Sequence, residues 1–243
     1  MRYNFFSILL IINVLISCSV NAQKGLSISR LSERAFVYTS RKTFEDGTQI
    51  PANGIYYISP LGAILVDPPW GDEPTKALID SIQRRHGQKT IASISTHSHN
   101  DRTSGIEVLK NAGAKTYASC QTRDLCIEKH EQVPAFCFSK DTVFNFGGLK
   151  LETFYPGPGH APDNIVVWSE SEKVLSGGCF LKSAEAKDLG NIADANLKAW
   201  PASLRKMQAR YMYAGIIIPG HQGWEKQKMV AHTLNLLRKA GYK

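Results

Sequence analysis

The stretch TIASISTHSHNDRTSG, residues 90–105, decides how this chain is read. Its first seven residues are apolar, small or β-branched, with no breaker among them, the composition of a buried strand. That strand runs directly into His97, His99 and Asp101 at alternate positions, with Gly105 just beyond. Strand ends and the loops that follow them are where a rigid scaffold presents functional side chains. Histidine and aspartate are also ordinary zinc ligands. The stretch therefore reads as a strand that delivers metal ligands.

Working outward, the same rhythm recurs. Residues 27–39 are strand-like, and GIYYIS (54–59) with GAILVDPPW (62–70) reads as a hairpin that ends at Asp67, where Pro68 and Pro69 break it. Residues 73–86 place Leu78, Ile79 and Ile82 near one face and Pro74 near the first turn, which predicts an amphipathic helix. A second helix is expected around 103–112 and a strand over 115–119. The second half repeats the pattern. A hairpin with a Gly-Gly turn covers 142–156, and strands cover 163–171, 173–180 and 215–221. Helices cover 196–211, with Pro201 in the first turn, and about 225–240. Strands followed by helices twice over, with no low-complexity linker, predict one αββα sandwich: two mixed β-sheets face to face with helices on the outer faces.

Three further candidates fall at strand ends or tight turns: His160 in GPGHAPDN, Cys179 in SGGCF and His221 in IIIPGH. Glycine beside each lets the backbone turn sharply enough to aim the side chain. One histidine alone would be an ordinary core or surface residue, and His86, His130 and His232 are read that way. Six candidate ligands on successive strand ends point to metal binding.

The chain has 243 residues and a formal net charge of +8. Its lysines and arginines form no dense run, so the charge reads as a solvated surface and no nucleic-acid partner is expected. Arg2, the apolar run FFSILLIINVLIS (5–17) and the small residues VNA (20–22) read as a secretory signal with cleavage before Gln23. LISC (15–18) also fits a lipoprotein signal, which would place cleavage before Cys18 and anchor the chain to a membrane. Either way, residues 23–243 form the mature domain and the expected location is the periplasm. Export permits disulfides. Cys120, Cys126 and Cys137 lie close enough in sequence for one pair to bridge, with small buried residues as the ordinary alternative.

With these residues assembled, the chain resembles the metallo-β-lactamase superfamily, specifically its B1 subclass of zinc β-lactamases. The carriers are HSHNDR (97–102), GPGHAPDN (157–164), GGCFLKSAEAKDLGNIADANLKAWP (177–201) and PGH (219–221). The resemblance implies two zinc ions per chain, one on His97, His99 and His160, the other on Asp101, Cys179 and His221. It implies hydrolysis of penicillins, cephalosporins and carbapenems by a metal-bound hydroxide, oriented by Asp101, with Asn191 stabilising the oxyanion and Lys182 pairing with the substrate carboxylate. It implies that Asp67 supports the ligands through hydrogen bonds. It also implies that residues 41–51 form a flap, in which Phe44 and Ile50 offer apolar contact, with Trp70 lining the pocket beside them. A monomer is the family default.

Two residues depart from the family pattern. Ser104 stands where the first of two glycines is usual, and Ala161 where a threonine commonly follows the third histidine. Other enzymes of the fold, thioesterases and lactonases, carry a second histidine after the aspartate, where this chain has Arg102, and a bridging carboxylate where it has Cys179. They are the nearest alternative. A non-catalytic exported zinc-binding protein is more remote.

Overall fold

The computed structural model describes residues 25–243, so the signal segment and Cys18 lie outside the described residues. Among the described residues no helix is long and apolar enough to cross a membrane. The first sheet holds seven strands in sequence order: β1 (Leu26–Arg30), β2 (Ala35–Thr43), β3 (Gln49–Ser59), β4 (Gly62–Val66), β5 (Thr90–Ile94), β6 (Lys115–Ser119) and β7 (Phe136–Phe138). Strands β1 to β4 are antiparallel, and β4 to β7 run parallel. The parallel crossovers carry α1 (Asp72–His86), the short α2 (Asn100–Thr103) and α3 (Ile106–Asn111), and α4 (Cys120–Glu128). The second sheet is ordered β12-β11-β10-β9-β8. It comprises β8 (Val143–Phe146), β9 (Leu149–Phe154), β10 (Val166–Ser169), β11 (Val174–Gly178) and β12 (Ile216–Pro219). Its helices are α5 (Trp200–Arg210) and α6 (Met229–Lys239).

Period-two alternation explains the layers. In β4, Ile64 and Val66 face the second sheet and pack with Leu149, Leu151, Val167 and Ile218. Ala63 and Leu65, on the opposite face, pack beneath Leu78, Ile82 and Leu109 of α1 and α3. The strand is buried on both faces, which is why its sequence is a continuous apolar run. On the far side, Trp168 and Leu175 pack against Trp200, Leu204 and Leu237 of α5 and α6. This is the αββα arrangement expected from the sequence. Each fully buried leucine or isoleucine contributes roughly 1.5–3 kcal/mol.

Some elements differ from the sequence reading. The helix expected over 103–112 is broken into α2 and α3 at Ser104 and Gly105. Glycine is required at 105, where a Cβ would run into Thr75 and Pro68. Ser104 has ordinary helical dihedrals, so the serine needs no glycine there. Ala161 is buried and its N–H donates to Asn164 Oδ1 at 3.0 Å. The α4–β7 segment has weak periodicity and was not foreseen. It is closed by a disulfide between Cys120 and Cys137, while Cys126 is free and buried.

One side chain ties the two sheets together at the end where the loops converge. Arg102 is buried, with 1% of its surface exposed. It donates to Asn53 O of β3 (2.7 Å), to Gly220 O beyond β12 (2.7 Å) and to Cys179 Sγ beyond β11 (3.1 Å). Its guanidinium also lies 3.0 Å from Asp101 and 3.6 Å from Asp67.

Removing that cation leaves two buried carboxylates without their counter-charge. Arg102→Ala should therefore cost about 3–5 kcal/mol of stability, read as a lowered midpoint in urea denaturation. The disulfide closes a loop with a sequence separation of 17. Its reduction, or replacement of both cysteines by serine, should cost about 3 kcal/mol by the loop-closure argument, measured in the same way.

Candidate metal centre

Ligands in sheets with parallel strands gather beyond the carboxyl ends of those strands. Here β4 ends at Asp67 and Trp70, β5 at His97, His99 and Asp101, β11 at Cys179 and Lys182, and β12 at His221. His160 enters from the loop between β9 and β10. Trp70, His99, Asp101, His160, Lys182 and His221 line one cleft with a volume of about 620 Å³, while Asp67, His97 and Cys179 are buried behind its lining.

Three imidazoles converge. His97 Nε2 lies 3.2 Å from His99 Nδ1, which lies 3.1 Å from His160 Nε2. Burial holds His97 and His160 well below the usual histidine range, so both are neutral. Adjacent to them is an anionic group. Cys179 Sγ is 3.2 Å from His221 Nε2 and 3.3 Å from Asp101 Oδ2, and His221 Nε2 is 3.0 Å from the same oxygen. Burial pulls the His221 imidazole down, yet the Cys179 thiolate and the Asp101 carboxylate outweigh it and carry the ring up to about 10. Asp101 itself is opposed by burial, but Arg102 and His221 hold it well below the usual carboxylate range.

The donor set fits a metal. The ligand atoms of Asp101, Cys179 and His221 all lie within 4.8 Å of one another, as do those of His97, His99 and Asp101 and those of His97, His160 and Cys179. Tetrahedral zinc with arms of about 2.0–2.1 Å would separate its ligands by roughly 3.3 Å, close to the spacing of the imidazoles. Ring nitrogens turned toward one another, beside a cysteine sulfur and a carboxylate, are the N, S and O donors that a transition metal such as zinc takes.

Backbone and side-chain partners orient these rings from behind. His221 Nδ1–H donates to Pro51 O at 2.7 Å, which leaves Nε2 facing Cys179 and Asp101. Asn53 holds the same loop, donating from Nδ2 to Pro219 O and Gln222 O. His99 Nε2 is 2.8 Å from Asp194 Oδ2, so Nδ1 is the nitrogen turned inward. Asp194 was not singled out in the sequence. Ninety-five residues separate it from His99, and no local spacing signals the pair. Asp67 accepts from Thr96 N and Thr96 Oγ1 at 2.7 and 3.0 Å, just before His97. It does so with φ at +59°, a strained backbone for a residue other than glycine. Burial lifts its carboxyl to about 6 despite Arg102.

The other expected residues fall as follows. Lys182, Asn191, Trp70 and Ile50 line the cleft. Lys182 is 8% exposed, its ammonium lies 5.5 Å over the Trp200 ring, and no carboxylate among the described residues stands at ion-pair distance from it. Phe44 is not part of the lining; its ring meets Trp70 edge-on, with 5.7 Å between centroids. His86, His130 and His232 lie outside the cleft lining.

The sequence profile of the metallo-β-lactamase superfamily matches residues 48–221. A protein named metallo-beta-lactamase type 2 from Elizabethkingia meningoseptica is 37% identical over 212 residues, covering 87% of this chain and 85% of its own. One of the same name from Bacteroides fragilis is 34% identical over 237 residues, covering 95% of each. The solved metallo-beta-lactamase from Pontibacter korlensis superposes with a TM-score of 0.84 at 38% identity, covering 88% of this chain and 99% of that one. The chain belongs to the metallo-β-lactamase superfamily, in its B1 subclass.

Proposed function

We propose that this chain hydrolyses the amide of β-lactam rings, taking penicillins, cephalosporins and carbapenems, with two zinc ions, and so confers resistance to those antibiotics. The observation that carries this reading is the pairing, in one cleft, of the two donor groups with a buried, unpaired lysine. His97, His99 and His160 would hold one ion, and Asp101, Cys179 and His221 the other. When bound, zinc supplies Lewis acidity and a water acidic enough to act as nucleophile near neutral pH.

The protein's own side chains do the rest. Lys182 is desolvated, which lowers its pKa, and it lacks an anionic partner, so a substrate carboxylate can supply one. Asn191 Oδ1 accepts from Ala193 N–H at 3.1 Å, which leaves its amide N–H groups free to donate to charge developing on the lactam carbonyl. Asp101, held by Arg102 and His221, accepts a hydrogen bond from the attacking water and so orients it. Trp70 and Ile50 offer apolar surface to the substrate body, and Phe44 braces Trp70. We also propose that residues 1–22 export the chain to the periplasm, by cleavage before Gln23 or, if Cys18 is lipidated, with a membrane anchor. On this reading residues 23–243 act as one monomeric domain.

Nitrocefin should be turned over by the purified protein, abolished by chelation and restored by zinc; no chelator-sensitive turnover would sink the reading. Cys179→Ser should reduce bound zinc from two per chain toward one and cut the rate sharply, measured by metal analysis beside kinetics. Lys182→Ala should raise KM for carboxylate-bearing β-lactams by about tenfold or more, with less change in kcat, the pattern of lost ground-state binding.

A further inference from the structure

The part of the cleft lining contributed by the first-sheet half carries a carboxylate that the mechanism does not use. Glu131 follows α4 and lines the cleft. Its Oε2 accepts from Asn100 Nδ2 at 2.7 Å, and Asn100 Oδ1 accepts from Trp70 Nε1–H at 2.9 Å. The indole can only donate and the carboxylate can only accept, so the orientation of the amide between them is fixed. Among the described residues no lysine, arginine or histidine stands at ion-pair distance from Glu131. Lys129, two residues before it, has its ammonium 2.6 Å from Asp194. One carboxylate oxygen therefore lacks a protein donor, on a wall that a substrate would touch.

Resting on the β-lactam reading above, we propose that Glu131 is a specificity-determining residue. It selects substrates whose acyl side chain carries a protonated amine. The chemistry of the ligand sets the geometry. In a penicillin the carboxylate sits on the ring fused to the lactam, and the acylamino group projects from the opposite end. With the carboxylate at Lys182, the acyl group would extend along the same cleft, which Trp70, Asn100 and Glu131 also line. The cleft thus offers both an unpaired cation and an unpaired carboxylate oxygen to one ligand, the pattern that recognises a zwitterion. The remaining oxygen of Glu131 accepts an N–H from the ammonium, a charge-assisted bond in a partly desolvated site.

The test compares the zinc-loaded enzyme on ampicillin and benzylpenicillin, which differ by one α-amino group, at slightly acidic pH where that amine is protonated. Glu131→Gln retains an oxygen for Asn100 and so preserves the support of Trp70. It should raise the ampicillin-to-benzylpenicillin KM ratio by about three- to tenfold. Glu131→Asp, which keeps the charge, should hold the ratio nearer to native, and high salt should erode the native preference. A ratio unmoved by Glu131→Gln would overturn the inference while leaving the hydrolase reading intact. So would a parallel shift of both KM values, which would assign Glu131 a supporting role through Asn100. No turnover of either penicillin by the native enzyme would overturn the hydrolase reading, and this inference with it.

Discussion

A buried guanidinium must find its partners within the protein, and Arg102 finds them on three segments besides its own. It reaches the backbone of β3 through Asn53 O and the turn beyond β12 through Gly220 O. It also reaches Cys179 beyond β11, and Asp101 one residue before itself. Those segments belong to both sheets, so satisfying one side chain fixes the relation of the two halves at their loop end. The planar fork of arginine suits this role, since its donors diverge in fixed directions and lysine would offer only a point charge. The Asp101 carboxylate can then stay anionic in a buried place, because a cation that offsets it is built in. Arg102 stands where thioesterases and lactonases of the fold carry another histidine. At that position the chain has exchanged a ligand for a brace.

The histidines are governed by a related constraint. An imidazole offers a metal only one nitrogen, and what the other nitrogen meets decides which one. His221 is set by a backbone carbonyl of β3, and His99 by Asp194 on a loop of the opposite half. Orientation therefore comes from long-range contacts, while the ligands themselves sit on short local motifs. Asp67 illustrates what this requires of the backbone. It adopts a left-handed conformation, and the two hydrogen bonds from Thr96 hold it there. Those bonds fix the chain immediately before His97.

This division explains what was legible in the sequence. The sandwich could be read because β4, β5 and the strands of the second half are apolar runs or alternations bounded by Pro, Gly and Asp. The candidate ligands could be read because they cluster at strand ends beside glycine, and their grouping followed from the resemblance to zinc β-lactamases. The need for glycine at 105 could not be read, because it depends on Pro68 and Thr75 crowding that position from a distant segment. The Cys120–Cys137 bridge was one of several open pairings, since three nearby cysteines do not declare which two meet. Asp194, Lys129 and Glu131 gave no local signal at all. Their significance lies in which atoms they approach across the cleft, and charged residues on loops are ordinarily solvated surface.

The cleft can finally be understood as a balance of charges left open. Arg102 offsets the anions on the protein side of Asp101 and Cys179, but their other sides converge on the ring of His221, which is driven toward the cationic form. The imidazole triangle turns three ring nitrogens toward one another. Lys182 is buried over Trp200 without a carboxylate. Each of these is costly in isolation, because desolvated polar groups without partners oppose folding. A fold carries such costs where a bound ion and an anionic substrate would relieve them. Between the sheets, β4, β5 and the strands facing them meet as packed apolar surfaces. The same apolar layers hold the strand ends rigid enough to keep the charges apart until those partners arrive.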